Sequence, residues 1–145
     1  MRCRTFKRIQ EIEEFSIYGV SVKTDEELES DLNSSLIFPL WKKFHSIFGA
    51  PDEIYSVYYD YKNTHKLEYK ICVGMKNPHE KGEKICIKGG KYMLFEDSGK
   101  PEIIAPKLWQ NINEFFKNSS LQRKFDTDFE FYTTNKTQIY ISMKE

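Results

Sequence analysis

The chain has little of what marks several large function classes. It has no net charge, since 22 Lys and Arg offset 22 Asp and Glu over 145 residues. A dedicated nucleic-acid binder usually carries a basic stripe, so direct nucleic-acid contact is not expected. No apolar run approaches the roughly 20 residues needed to cross a bilayer. The opening "MRCRTFKRIQEIEEF" is too charged for a secretory signal, which argues for a cytoplasmic protein with no membrane partner. Cysteine is scarce and odd in number: Cys3, Cys72 and Cys86, with no CxxC spacing. In a reducing compartment these are expected as free thiols, which argues against a Cys72–Cys86 bridge. His45, His65 and His79 are scattered without HxH or HxxxH spacing, so no metal site is expected. A GxSxG nucleophile motif is absent. "KGGK" (Lys88–Lys91) lacks the spacing of a phosphate-binding loop and reads as a bulge or tight bend between strand runs. No catalytic residue and no cofactor is therefore expected from motifs.

What the chain does have is rings, with eleven Phe, nine Tyr and two Trp. The tryptophans expose its organisation. "IFPLWKKFHSIF" (37–48) and "IAPKLWQNINEFF" (104–116) both run apolar, Pro, Leu-Trp, then apolar at helical spacing. Pro39 and Pro106 suit a first helical turn, where the missing N–H costs little. "TDEE" at Thr24 has a capping-box pattern and predicts a helical segment that ends or kinks near Pro39. A strand precedes each helix ("EFSIYGVSVKT" and "EKICIKGGKYMLFED"), and two β-rich runs around a polar turn follow it. The chain thus reads as β-α-β-β twice, offset by about 70 residues, with halves of about 6–76 and 83–145 joined by "NPHEKGE". The length suits one domain, 1–145. The expected fold is α+β: one pseudo-twofold antiparallel sheet with helices packed on it, because neither half buries its own face alone.

Within the second half, "DFEFY" (128–132) places a carboxylate between two phenylalanines. In an extended chain Phe129 and Phe131 point one way, and Asp128, Glu130 and Tyr132 the other. That second face is either ordinary solvent or something built to receive Glu130.

The ordered set "YGVSVKT", "LWKKF", "IYSVYYDY", "YKICVGM", "IKGGKYMLFEDSG", "LWQNI" and "DFEFY" resembles the GyrI-like (gyrase-inhibitor-like) effector-binding domain. It is most similar to the stand-alone, integron-associated branch. Other members form the sensing part of AraC-type and MerR-type multidrug transcription regulators. The resemblance implies the duplicated sheet already read from the repeats. It also implies a cleft between the halves that holds lipophilic organic cations with aromatic rings and a buried glutamate, which falls on Glu130. No segment remains for a helix-turn-helix, so a sensor of this kind would need a separate DNA-binding regulator chain or another protein as partner.

A carboxylate in an apolar cavity needs a partner or a raised pKa. A greasy cation can be that partner, since it meets an opposite charge and ring faces together. The plain alternative is a solvated glutamate on an open sheet face. Tyr132 shares the face of Glu130. Tyr58 lies in the matching strand of the first half, although the opposite face there (Tyr55, Val57, Tyr59, Tyr61) is more aromatic and an equal candidate to line the cleft, a choice that parity alone leaves open. Trp109 suits either a cleft wall or the core, and Tyr92 and Tyr18 complete the candidate ligand-binding set. The expected function is a non-enzymatic receptor for small amphipathic, cationic molecules. Two alternatives remain: a hydrolase of strained electrophiles using the same pocket, and a protein-interaction module such as a gyrase inhibitor.

Overall fold

Alternating apolar residues between polar turns give strands, and the two Trp-bearing stretches give the long helices, in the computed structural model, which describes residues 6–145. In chain order the elements are β1 (Phe6–Ile12), β2 (Phe15–Asp25), α1 (Glu26–Glu29), α2 (Ile37–Phe48), β3 (Ile54–Asn63) and β4 (Leu67–Met75). The second half follows as β5 (Glu83–Ile87), β6 (Gly90–Ser98), α3 (Pro101–Asn118), β7 (Asp128–Tyr132) and β8 (Lys136–Ser142). The strands form one antiparallel sheet in the order β1-β6-β8-β7-β3-β4-β2-β5. The expected α+β unit is present twice, as β2-α2-β3-β4 and β6-α3-β7-β8.

Each unit also has a further strand ahead of it. β1 lies in the charged opening, where low hydrophobicity hid it. The stretch "EKICIKGGKYMLFED" is two strands, broken at Gly89 and Gly90 within the "KGGK" that suggests a bulge or tight bend, and Gly90 adopts φ 146°. These extra strands are exchanged. β1 pairs with β6 of the other half, and β5 pairs with β2 of the other half. The halves are therefore joined at both edges of the sheet as well as at its centre, where β3 meets β7.

Strand parity gives the sheet two buried faces. On one, α2 packs Leu40 and Phe44 against Val20, Ile71 and Val73, and α3 packs Ile104, Leu108 and Ile112 against Met93, Phe95, Ile139 and Ile141. Each such side chain contributes roughly 1.5–3 kcal/mol on burial. The other face carries no helix and buries itself by curling. Phe15 of β2 meets Phe129 of β7 at 5.7 Å between ring centroids, although two strands lie between them. Tyr55, Val57, Cys72, Leu94 and Tyr140 fill the same core. Tight β2–β4 pairing needs Gly19 opposite Gly74, because a Cβ on Gly19 would collide with the Val73 carbonyl.

The helix boundaries differ from expectation at two points. Asp25, not Thr24, caps α1, accepting from the Leu28 N–H at 2.8 Å. Thr24 instead donates to Glu29, which itself accepts from Leu36 N–H at the entrance of α2, so residues 30–36 form a non-helical strap rather than a kinked helix. α3 begins at Pro101, leaving Pro106 in its interior rather than in its first turn. Pro101 takes the favoured first position, and Pro106 then removes the hydrogen bond to the Glu102 carbonyl. Cys72 is buried and Cys86 exposed, both free; Cys3 lies outside the described residues.

Candidate functional site

Between α2 and α3, above β3 and β7, lies a cavity of about 1250 Å³. Its walls follow the pseudo-twofold. Trp41 on α2 meets Tyr132 on β7 edge-on at 5.5 Å and 75°. Trp109 on α3 meets Tyr58 on β3 edge-on at 5.5 Å and 71°. Each helix thus lays its tryptophan against a tyrosine of the opposite half. The β3–β7 register centres this arrangement on Ser56 opposite Glu130, flanked by Ile54 opposite Tyr132 and by Tyr58 opposite Asp128. By symmetry Ser56 occupies in the first half the place that Glu130 occupies in the second.

Glu130 is 5% exposed. Its carboxylate accepts from the Trp109 indole N–H at 2.7 Å and from the Tyr58 hydroxyl at 3.2 Å. Among the described residues no Lys or Arg pairs with it. Trp109, Tyr58 and Tyr132 line the cavity, and the acid lies directly behind them. Burial pushes the Glu130 carboxyl above its ordinary value, against the opposing pull of the Trp109, Tyr132 and Tyr58 donors. The same burial, with Glu130 nearby, holds the Tyr58 and Tyr132 phenols well above theirs, so both stay hydrogen-bond donors.

Asp128, two residues earlier on the same face, is fully buried but paired. It accepts from Arg123 at 2.7 Å, from the Tyr61 hydroxyl at 2.6 Å, and from the backbone N–H and hydroxyl of Ser142. A protein cation thus neutralises one buried acid of β7, while the other has only neutral donors.

The structure brings together Glu130, Tyr132, Tyr58 and Trp109 of the sequence candidates. It sets two apart. Tyr92 faces the opposite side of the sheet, fully buried, with its hydroxyl on the Lys88 carbonyl and Thr127. Tyr18 lies on β2 opposite Met75 and Lys84, outside the cavity wall. Both sit in strands of the right type, but strand identity says nothing of distance from the β3–β7 seam. Trp41 and Tyr69 are wall residues not singled out from the sequence, and Tyr61 is one that parity offers only together with Tyr55, Val57 and Tyr59. Trp41 was findable as the repeat partner of Trp109. Parity groups Tyr61 with Tyr55, Val57 and Tyr59, but those three pack into the opposite core and Tyr61 alone of the four reaches the wall. A bulge between Tyr59 and Lys62, with Asp60 at φ 52°, turns it onto the cavity side.

The cavity rim is acidic. Glu26, Glu29, Asp52 and Glu102 line it, against Lys42 and the already engaged Arg123. Among the described residues no group of three or more His, Cys, Asp or Glu is placed to hold a metal ion, and no helix is long and apolar enough to cross a membrane.

Among solved structures, the fold is similar to an integron cassette protein from the mobile metagenome of Vibrio cholerae, with a TM-score of 0.87, 24% identity and 95% of each chain covered. It is also similar to SAV2435 in its structure bound to tetraphenylphosphonium, with a TM-score of 0.70, 14% identity, 96% of this chain and 94% of that one. A bacterial transcription regulation protein from Staphylococcus aureus superposes with a TM-score of 0.69 at 13% identity, over 97% and 99% of the two chains. No curated protein sequence matches the chain. The sequence profile of the GyrI-like small molecule binding domain matches residues 7–144, and the chain belongs to that family.

Proposed function

We propose that the cavity between α2 and α3 binds a lipophilic organic cation, with Glu130 as its counter-charge, and that the protein serves as a sensor or sink for such molecules. The observation that carries this reading is a buried carboxylate with no cation paired to it among the described residues, screened from solvent by the rings of an open cavity. An ion pair with a guest offsets the cost that burial places on the charge. Trp109 and Tyr58 donate to the carboxylate from their polar edges, which draws electron density into the rings and strengthens the attraction of their faces for a cation, worth about 0.5–2 kcal/mol per ring. The guest therefore feels the acid through the rings and does not need to touch it. Edge-on rings from two halves accept many outlines, which suits a broad ligand class. The tetraphenylphosphonium complex of the SAV2435 neighbour and the transcription regulation neighbour support this reading.

Titrating tetraphenylphosphonium against the fluorescence of Trp41 and Trp109 tests it. Saturable quenching is expected. Glu130→Gln should weaken tetraphenylphosphonium by about tenfold or more, given a unit charge a few ångströms away in a medium of intermediate polarity. Triphenylphosphine oxide, neutral and similar in shape, should lose little. Equal losses for the two would remove the counter-charge role. Recovery of the ligand unchanged after long incubation distinguishes a receptor from a hydrolase.

A further inference from the structure

The cavity is larger than one compact cation needs, and of the acids around it Glu130 stands behind Trp109 and Tyr58 while Glu26 and Glu29 share the wall with Tyr69. We propose that it takes elongated dications, with one positive centre over Trp109 and Tyr58 in front of Glu130 and the second beside Tyr69, facing Glu26 and Glu29. The inference rests on the cation-binding reading above and adds the charge pattern of the ligand.

Three observations carry it. A volume of about 1250 Å³ exceeds the roughly 300–1,000 Å³ usual for a drug-sized ligand. A continuous row of rings joins the two positions: Trp109 to Tyr58 at 5.5 Å, then Tyr58 to Tyr69 at 5.5 Å. Tyr69 lines the same cavity as Glu26 and Glu29, and its phenol is pushed up by burial first and then by the charges of Glu29, Glu130, Asp25 and Glu26.

The second position also holds its charge unpaired. Glu29 is oriented by neutral donors only, accepting from Thr24, Ser35 and the Leu36 N–H. Glu26 accepts only a long bond from Leu67 N–H at 3.3 Å. The nearby Lys66 is taken by Asp25 and Glu27. Among the described residues neither Glu26 nor Glu29 forms an ion pair. Of the cations on the wall, Arg123 is held by Asp128, and Lys42 sits over Phe38 at 4.9 Å. The apolar row between the two positions suits a hydrocarbon spacer. Once one head is bound, the second meets its acids at high effective concentration.

The test compares decamethonium with decyltrimethylammonium, which has one charged head on a chain of the same length, by Trp fluorescence on the full chain. The bis-cation is expected to bind about tenfold more tightly, well beyond the twofold statistical factor for two identical heads. Shortening the spacer to butane, as in tetramethonium, should erase that advantage in the unmodified protein. Glu26→Gln combined with Glu29→Gln, checked for native circular dichroism, should bring the bis-to-mono ratio down to about two. Glu130→Gln should weaken both probes. A ratio near two in the unmodified protein, or a large ratio that survives both the double substitution and the short spacer, overturns the dication inference while leaving the cation reading intact. Failure of both probes to bind overturns both.

Discussion

The two halves of this protein build nearly the same wall and differ in what stands behind it. Trp41 against Tyr132 and Trp109 against Tyr58 are matched pairs, with equal centroid separations of 5.5 Å. At the seam, however, the first half presents the Ser56 hydroxyl and the second presents the Glu130 carboxylate. Duplication thus supplies a symmetric aromatic enclosure, and one substitution at the symmetry centre gives it a sign of charge. A second contrast sits within β7. Asp128 and Glu130 point the same way and are both buried, yet only Asp128 is supplied with an arginine. Asp128 with Arg123 is structural, tying β7 to β8 through Ser142 and to β3 through Tyr61. Glu130 is met among the described residues by the neutral donors Trp109 and Tyr58.

The contrast between the acids can be broken most forcefully at Arg123. Replacing it with Met leaves Asp128 buried without a cation and should cost about 3–5 kcal/mol, read as a lowered midpoint in urea unfolding. Glu130→Gln should cost far less, because the buried carboxyl it replaces has no counter-ion among the described residues. Equal losses would dissolve the contrast between a structural and a functional acid.

The contrast between the halves is sharpened by the tryptophans. Trp109→Phe removes a 2.7 Å charge-assisted bond and should cost about 1.5–3 kcal/mol. Trp41→Phe removes ring area alone and should cost about 1 kcal/mol less, by the same unfolding measurement. The order of the two is the prediction.

The pH dependence follows from the raised Glu130 carboxyl. A group whose folded value lies above its unfolded value adds stability that is full below the unfolded value and lost as pH rises through the folded one. Relative to Glu130→Gln, the unmodified protein should therefore lose stability as pH climbs from the ordinary glutamate value of 4.5 upward. Its affinity for tetraphenylphosphonium should rise over the same interval. Thermal unfolding and titration at matched pH check both signs. The smallest effect is expected for Tyr58→Phe, which loses a 3.2 Å bond and should cost about 1 kcal/mol.

Much of this architecture was legible in the chain, for identifiable reasons. The paired Leu-Trp stretches carry helical periodicity, and the runs after them carry strand alternation, so the duplicated unit could be read from spacing alone. Glu130 and Tyr132 were placed on one face by parity, and that parity holds because β7 is short and regular. Parity failed at Tyr61, where the bulge at Asp60 shifts the register, a backbone event with no distinctive residue to announce it. It was also insufficient for Tyr92 and Tyr18, whose strands are real but lie away from the β3–β7 seam. The match to Pro39 places Pro106 in a first helical turn, whereas the helix begins five residues upstream at Pro101.

Local order along the chain determined the element types, the repeat and the alternation that turns Glu130 away from Phe129 and Phe131, because those depend on dihedral preference and on neighbours within a few residues. Only the tertiary structure decided which strand met which. It exchanged β1 and β5 between the halves, brought Ser56 opposite Glu130, gave Arg123 to Asp128 and, among the described residues, left Glu130 without a cation. The strand pairings depend on contacts between residues dozens of positions apart, and even the five-residue step from Arg123 to Asp128 is closed by folding of the loop before β7, where burial and electrostatics act through space and not along the sequence.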